Sequence, residues 1–274
     1  MIEIEATGGL GDIFRVLHET TAYEDIERLG PGETARVVLI SHNPFCDEIF
    51  RWHPKHSQIE VISSRYFFHE YKDAARRRDA GVPERAPEPR PRRERAPIRF
   101  YPSSEDMKAI EARLPNIDFL AVAPTASGME IENRSIPQGI LERIASIAKI
   151  RGVPVVFLGR TYPGPHAPKV DPQRPVNWTT VDLTDRLSVP GTAEVLKRAR
   201  ATVCAHSALL LLSWYERKPN FVTYPPKYKT HDFDNDISPF GFGKNYPETV
   251  RMLFSEFTPS RFDDFLTKNF PRSI

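Results

Sequence analysis

Three glycines and an aspartate follow the first apolar run of the chain. The stretch TGGLGD, residues 7–12, contains Gly8, Gly9, Gly11 and Asp12, and it separates MIEIEA from a segment of helical pattern, RVLHETTAYEDI. Glycine permits positive φ and a close approach of the backbone to a ligand. Asp12 suits either of two roles, a cap on the following helix or a carboxylate beside a bound ligand. The stretch lacks the last glycine of the G-x-G-x-x-G dinucleotide fingerprint, which argues against a dehydrogenase.

Hydroxyl and basic residues follow a second apolar run, in FLAVAPTASGMEIENRSIPQG, residues 119–139. A strand here ends at Pro-Thr-Ala-Ser-Gly, and Arg134 precedes a helix that begins near Pro137. Backbone amides at a helix N-terminus, together with hydroxyls and a cation, can bind a diphosphate. Thr125, Ser127 and Arg134 are therefore candidate phosphate ligands.

A third group lies in TVCAHSALLLLSWYERKPNFVTY, residues 202–224. His206, Ser207 and Ala208 follow a predicted strand and precede an apolar helix. In an open α/β sheet, ligands bind beyond the carboxyl ends of strands. Histidine can become a cation near neutral pH, so His206 is interpreted as a possible contact for phosphate. The alternative is that His206 caps the following helix.

The elements that position these residues are short apolar strands separated by segments of helix length. This pattern predicts parallel, doubly wound α/β sheets. The strand–helix alternation restarts near Ile117, so two similar domains are expected, divided around 114–116. The candidate strands are 1–7, 36–41, 58–63, 98–101, 117–124, 153–159, 178–182, 201–205 and 219–224. Candidate helices begin at Asp12, Phe45, Tyr66, Ser103, Pro137, Gly191 and His206, with two more near Pro247 and Ser260.

Positive charge is concentrated in one segment. Residues 76–99 contain nine Arg against four Asp and Glu, and residues 79–97 contain five Pro. This composition predicts an extended, solvated loop that either has no partner or attracts phosphates or another anionic surface.

Composition excludes several classes of protein. The hydrophobic content of 40% and 17 Phe exclude a mainly disordered chain. No apolar run reaches the roughly 20 residues of a membrane span, and the N-terminus has no basic region typical of a secretory signal. Cys46 and Cys204, far apart in apolar surroundings, are interpreted as buried free thiols, which predicts a cytoplasmic protein.

No convincing metal site is present in the sequence. Asp232, Asp234 and Asp236 in HDFDND alternate, but the calcium-loop pattern would need glycine where Ile237 stands. A solvated loop or a helix cap is favoured, with a contact to donor or acceptor left open. His53 and His56 in HPKH have no matching ligand pair elsewhere, so both are expected at the surface.

Together these pieces resemble the bacterial heptosyltransferases, family 9 of the glycosyltransferases, which have the GT-B fold. The family opens with a strand and a G-x-G-D turn, here residues 9–12. Its second domain begins with a strand ending in small and hydroxyl residues, then a basic residue three before a proline, here Arg134. A DLT segment, here 182–184, precedes a helix and a strand ending in D-[ST]-G-x-x-H. The resemblance covers the first turn and nearly all of residues 117–224.

The resemblance implies a role for each matching residue. Asp12 matches the family's proposed catalytic base for inverting transfer. Thr125 and Ser127 lie in the segment that contacts donor phosphates, and Arg134 would stabilise the leaving diphosphate. Ser207 and Ala208 match a loop that contacts the same phosphates.

The sequence departs from the family in three places. D-[ST]-G-x-x-H is replaced by HSALLL, residues 206–211, so His206 stands where the family has aspartate. The acidic residue expected after VVFLG to hold the donor ribose is replaced by Arg160. The phosphate loop, ASGMEIENR, is longer. The donor nucleotide and sugar therefore stay open.

The resemblance implies a GT-B fold, with two doubly wound Rossmann-like domains facing a central cleft. Residues 1–115 would bind the acceptor and include the Arg/Pro-rich loop 79–97. Residues 116–274 would bind the nucleotide-sugar, and the last helices, within 251–270, would cross back to the first domain. The expected activity is metal-independent and inverting, needs no cofactor and uses Asp12 as general base.

The acceptor would be a surface glycan of lipopolysaccharide type or a hydroxymethylated DNA base, with a small molecule or a protein as further alternatives. A non-catalytic protein that binds nucleotide-sugar or nucleic acid is the alternative of another class.

Overall fold

A computed structural model describes residues 1–41, 43–64, 99–126, 135–160, 181–225 and 249–271. The chain forms two compact units. The first consists of residues 1–103 with 188–191, and the second of residues 104–187 with 192–274. Among the described residues, none of the helices is both long and apolar enough to cross a bilayer.

The first unit contains a parallel three-stranded sheet in the order β1-β2-β3. The strands are β1 Ile2–Thr7, β2 Ala35–Ile40 and β3 Ile59–Ser64, and the helices are α1 Leu10–Glu19, α2 Ala22–Glu27 and α3 Glu48–Arg51. A short 3-10 helix, His56–Gln58, precedes β3. Arg36 on β2 donates to Glu3 on β1 at 3.1 Å and to Glu60 on β3 at 2.9 Å. These cross-strand pairs favour the observed register on the exposed side of the sheet.

The helical segment after Asp12 is two helices, so the expectation of one helix is wrong. The break lies at Thr20, whose hydroxyl donates to Val16 O and accepts from the N–H of Ala22 at 3.1 Å. A threonine hydroxyl that bonds local backbone groups competes with the helical pattern. The helix α1 consequently ends at Glu19 and α2 begins at Ala22.

Aromatic rings pack together with His18 and His53 in the first unit, and this packing overturns the predicted strand 98–101. The segment 98–101 is not a strand at its described residues, because Phe100 and Tyr101 pack their rings on Phe14 and His53. Arg99 O accepts from the Tyr23 hydroxyl instead of from a neighbouring strand.

His53 is 2% exposed, so its predicted surface position is wrong, whereas His56 is exposed. The ring lies edge-on to Tyr101, with centroids 5.0 Å apart, and Nδ1 accepts from the N–H of Lys55 at 3.1 Å. Burial, followed by the nearby charges of Lys55 and His56, lowers the pKa of His53 to about 4.

The second unit contains a parallel six-stranded sheet in the order β6-β5-β4-β7-β8-β9. The strands are β4 Leu120–Ala123, β5 Val155–Phe157, β6 Val181–Asp182, β7 Ala201–Ala205, β8 Asn220–Tyr224 and β9 Thr249–Leu253. The helices are α4 Ser104–Arg113, α5 Gln138–Ile150, α6 Val189–Arg198, α7 Ala208–Tyr215 and α8 Pro259–Asn269, with a 3-10 helix at Phe254–Glu256. Parallel α/β architecture is thus confirmed.

Helices cover both faces of this second sheet. Val203 on β7 shares a buried cluster with residues of α5 and α8, including Ile144 and Phe262. On the opposite face, the Thr202 hydroxyl lies 2.8 Å from the hydroxyl of Ser213 on α7. Because side chains alternate along a strand, α7 covers the face opposite α5 and α8.

The helix expected near Pro247 is wrong, because Thr249–Leu253 forms the edge strand β9. It pairs in parallel with β8, from Asn220↔Thr249 to Tyr224↔Leu253. Apart from 98–101, each candidate strand is found with its ends shifted by a few residues. The helix expected at Tyr66 lies outside the described residues.

Candidate functional site

The strand order of the second sheet reverses between β4 and β7. The chain proceeds from β4 through β5 to β6 on one side, and from β7 through β8 to β9 on the other. At such a switch point, a crevice opens outside the carboxyl ends of the two central strands, and ligands of open α/β sheets bind there.

The switch point brings together four of the residues singled out in the sequence. Ala123 at the end of β4 pairs with Cys204 on β7. Thr125 therefore follows one central strand at the same edge where His206, Ser207 and Ala208 follow the other. Ser127 and Arg134 lie outside the described residues.

Two hydrogen bonds fix the turn that contains Thr125. The N–H of Ile136 donates to Pro124 O at 2.8 Å, and the N–H of Ala126 donates to Ser135 Oγ at 3.3 Å. Ala126 and Ile136 are fully buried. The chain thus leaves the edge of the sheet after Thr125 and returns to it before α5.

Ser207 is the N-cap of α7, which shows that the cap is not His206. Its carbonyl accepts from the N–H of Leu210 at 3.1 Å, but its side chain makes no capping bond. The Ser207 hydroxyl is buried and has no hydrogen-bond partner among the described residues. A buried hydroxyl beside helix N–H groups is suited to contact an anion such as phosphate.

In the first unit, the glycine turn begins helix α1 at the carboxyl end of β1. The N–H of Gly8 donates to Ile40 O at 2.9 Å, and the N–H of Gly9 donates to Asp12 Oδ2 at 2.9 Å. Asp12 is exposed and stands at the third position of α1, where its carboxylate bonds the backbone of the N-cap, Gly9. The predicted role of Asp12 as a cap on the helix is confirmed, with the carboxylate at the third helical position.

Only the first of the three glycines needs positive φ. Gly8 has φ +121°, whereas Gly9 is extended at φ −74° and Gly11 lies within α1. A Cβ on Gly8 would stand 2.6 Å from Asp12 Oδ2. Position 8 therefore requires glycine for two reasons: its φ is positive, and a side chain there would overlap the Asp12 carboxylate.

Both cysteines are buried and free, as predicted. Burial raises the pKa of Cys46 and of Cys204 to about 12. Burial and a raised pKa both disfavour the reactive thiolate form of these side chains.

Two further features lie apart from these sites. A cavity of about 500 Å³ lies at the amino ends of β4 and β7, lined by residues 114–119 and Arg198 among others, at the edge opposite the switch point. Among the residues that the structure describes, no three metal-ligating side chains cluster together. Asp232, Asp234 and Asp236 lie outside that part of the chain.

One unusual backbone position, in the turn after β6, was not predicted from the sequence. Asp185, one residue beyond the DLT segment, has φ +58°, and its N–H donates to Gly159 O at 3.1 Å. A non-glycine residue in this conformation is uncommon and indicates a constrained turn. The sequence signal was an aspartate, one of the residue types that tolerate left-handed backbone.

The chain thus has an α/β fold with two parallel sheets, and the switch point of the second sheet is the candidate site. The same fold occurs in E. coli ADP-heptose lipopolysaccharide heptosyltransferase II, with TM-score 0.59, 12% identity, and 98% of each chain covered. E. coli heptosyltransferase WaaC, solved with ADP, has TM-score 0.55 at 13% identity, covering 98% of this chain and 97% of its own. A family 9 glycosyl transferase from Veillonella parvula has TM-score 0.54 at 12% identity, covering 99% and 92%. No protein-family model and no curated protein sequence matches the chain. The expected resemblance to heptosyltransferases is confirmed at the level of the fold.

Proposed function

We propose that this chain is an inverting, metal-independent glycosyltransferase of the GT-B type. It would move a sugar from a nucleotide-diphosphate sugar to an acceptor hydroxyl. The observation that carries the proposal is the switch point between β4 and β7, where the Ser207 hydroxyl, which has no hydrogen-bond partner in the described part of the chain, lies at the N-terminus of α7. The fold shared with heptosyltransferases, one of them solved with ADP, supports it.

In this proposal, the second unit binds the donor diphosphate. Ser207 and the N–H groups at the start of α7 would donate to phosphate oxygens. Thr125 and Ser127 would contribute hydroxyls from the turn after β4. Arg134 and His206 would stabilise the charge that develops on the leaving diphosphate.

Asp12 is the proposed general base. As the acceptor hydroxyl attacks the anomeric carbon, its proton passes to Asp12, the new C–O bond forms and the bond to the diphosphate breaks. Attack from the face opposite the diphosphate inverts the anomeric centre. The hydrogen bond from the Gly9 N–H holds Oδ2, so the carboxylate is oriented before the acceptor binds.

Two acceptor classes are proposed: the family resemblance implies a surface glycan of lipopolysaccharide type, and the arginine-rich segment motivates a hydroxymethylated base in DNA. The excess of arginine in residues 76–99 favours contact with phosphates. DNA binding through this segment would weaken steeply with salt, whereas glycan binding would change little. Acceptor binding measured at two salt concentrations separates the two.

The test is a mass-spectrometric transfer assay with pooled nucleotide-sugars. Truncated surface glycans and hydroxymethylated DNA serve as separate acceptor pools, for the wild type and Asp12→Asn. A gain of hexose or heptose mass on one pool, lost in Asp12→Asn, supports the proposal and identifies the acceptor. Binding of nucleotide-sugar with neither transfer nor release of nucleotide would favour a non-catalytic binding protein.

A further inference from the structure

The segments that lead into four neighbouring strands of the second sheet lie at the edge opposite the switch point. We call this surface the amino edge, and it consists of residues 111–119 before β4, 149–154 before β5, 197–200 before β7 and 216–219 before β8. The N–H of Leu120 donates to Pro154 O at 2.9 Å, which joins the first two segments. The N–H of Arg200 donates to Phe119 O at 3.0 Å, which joins the first and the third. Because neighbouring strands lie about 4.8 Å apart, the amino edge is about 15 Å wide.

Two isoleucines of the amino edge are exposed to solvent. Ile117 is 63% exposed and Ile150 is 75% exposed. The third exposed large apolar side chain in the described part of the chain is Met1, its first residue. Single exposed apolar residues are common, but these two lead into adjacent strands, β4 and β5. The large apolar side chains that reach solvent within the described chain are thus concentrated at one edge.

The amino edge is also basic. Its four segments contain eight Lys and Arg against three Asp and Glu, whereas the whole chain has a net charge of only +2. Two of the cations are paired by carboxylates from outside the segments, because Arg151 donates to Asp263 and Arg198 lies 2.7 Å from Glu194. An excess of three positive charges remains, which favours an anionic partner.

The cations are crowded in the half of the amino edge that precedes β7 and β8. Burial lowers the pKa of Lys218, and so do the nearby charges of Arg200 and Lys197, although Glu216 opposes them. An anion bound beside these side chains would offset their mutual repulsion.

The cavity of about 500 Å³ lies at the same edge. Ile110, Leu114 and Phe119 contribute apolar side chains to its wall, and the exposed Arg198 also lines it. An apolar wall beside a guanidinium suits a molecule that has an apolar chain and an anionic headgroup.

We propose that the amino edge docks on an anionic lipid bilayer. Ile117 and Ile150 would enter the boundary between headgroups and acyl chains, while the flanking Lys and Arg would contact lipid phosphates. A nucleic acid would neutralise the cations but leave both isoleucines in water. A second copy docked edge to edge would bring two positive surfaces together. The inference depends neither on the proposed donor site nor on the proposed transfer reaction.

The experiment is sedimentation of the full chain with lipid vesicles. One set consists of phosphatidylcholine alone, and the other of phosphatidylcholine and phosphatidylglycerol in equal parts. The apolar variant combines Ile117→Ser with Ile150→Ser. The charge variant combines Lys149→Gln with Lys197→Gln. All four side chains are exposed, so thermal unfolding should be nearly unchanged in both variants.

The matched control combines Arg143→Gln with Arg261→Gln. It also removes two exposed cations, but from the first halves of α5 and α8, away from the amino edge. The end of α8 lies at the amino edge, because Arg200 Nε donates to Asn269 O at 3.1 Å. The control therefore separates the amino edge from the positive charge of the second unit in general.

The wild type is expected to bind the anionic vesicles about tenfold or more tightly than the neutral ones, and to lose this preference at high salt. The apolar variant should bind the anionic vesicles about tenfold or more weakly, because two isoleucines no longer leave water. The charge variant should lose a similar factor, since each Lys or Arg near an anionic membrane contributes about fivefold. The control should keep the wild-type affinity.

Absence of vesicle binding by the wild type would overturn the proposal. Equal binding by the wild type and the apolar variant would also overturn it, and would assign the attraction to charge alone, such as that of the arginine-rich residues 76–99. Duplex DNA serves as the competing probe. DNA binding that the charge variant loses and the apolar variant keeps, without binding to vesicles, would make the amino edge a nucleic-acid surface instead.

Discussion

Asp12 and Gly9 are joined by a hydrogen bond in which the backbone N–H of Gly9 donates to Asp12 Oδ2 at 2.9 Å. The carboxylate that we propose as general base therefore also stabilises the start of α1. Two substitutions separate these roles. Asparagine retains an oxygen acceptor for the Gly9 N–H, whereas alanine has none.

We expect Asp12→Asn to lower the rate of sugar transfer by about 10²-fold or more, with almost unchanged stability. Asp12→Ala should lower the rate similarly and also cost about 0.5–1 kcal/mol of unfolding free energy. Transfer rates and urea denaturation measure the two effects. The control is Glu105→Gln in the first turn of α4, which should retain full transfer. Full activity in Asp12→Asn would contradict the role as base.

Gly8→Ala should destabilise the first unit by about 2 kcal/mol or more, because a side chain at φ +121° is strained and its Cβ would overlap Asp12. Gly32→Ala is the matched control, since Gly32 has φ +80° and no described atom near its Cβ position. It should show the backbone cost alone. Equal losses of unfolding free energy in the two variants would mean that the Asp12 carboxylate moves aside freely.

Ser207→Ala should weaken donor binding and leave stability unchanged within about 0.5 kcal/mol, because the hydroxyl has no described partner to lose. Ser188→Ala is the contrasting variant. Ser188 Oγ accepts from the N–H of Gly191 at 3.1 Å, as a capping hydroxyl does at the start of α6. Its loss should cost about 1 kcal/mol. Thermal unfolding and calorimetric titration with nucleoside diphosphates measure both effects. A large stability loss in Ser207→Ala would show that the hydroxyl has a structural partner.

His53 should make the stability of the protein depend on pH. Its pKa is about 4 in the folded protein and near 6.5 when unfolded, so between these values the unfolded chain binds the extra proton. The contribution of His53 is therefore complete above pH 6.5 and is lost as the pH falls to about 4, for a total of about 3 kcal/mol.

Urea denaturation between pH 7 and pH 4 measures this slope. His53→Asn, which can still accept from the Lys55 N–H, should flatten it even though the smaller side chain lowers stability at pH 7. The exposed His56 provides the control, because His56→Asn should keep the wild-type slope. An unchanged slope in His53→Asn would assign the pH dependence to other groups.

The sequence predicted the parallel sheets because buried parallel strands are short, continuous apolar runs, such as LAVA in β4 and ATVCA in β7. It failed where aromatic side chains pack on other rings without strand pairing. Phe100 and Tyr101 are apolar enough for a strand, but their rings complete an aromatic core. The error at β9 arose from Pro247, which is typical of a helix start, while the pairing partner lies on β8.

The candidate site was only partly predictable for the same reason. His206 and Ser207 were found because they directly follow an apolar strand. Asp185 was missed because its position depends on a hydrogen bond to Gly159, which is distant in sequence. The local sequence around Asp185 contains no information on a hydrogen bond to a residue so far away along the chain.

The pairing of β4 with β7 has a consequence for how the protein is made. Leu120 pairs with Ala201, so the two central strands of the second sheet are separated along the chain by α5, β5, β6 and α6. Contacts between residues so distant in sequence form slowly, since a long loop must close first. During synthesis, the strands of the first unit can pair early, whereas the crevice between β4 and β7 cannot form until β7 has left the ribosome. Truncated chains that end before Ala201 would therefore retain the glycine turn and lack the proposed donor site.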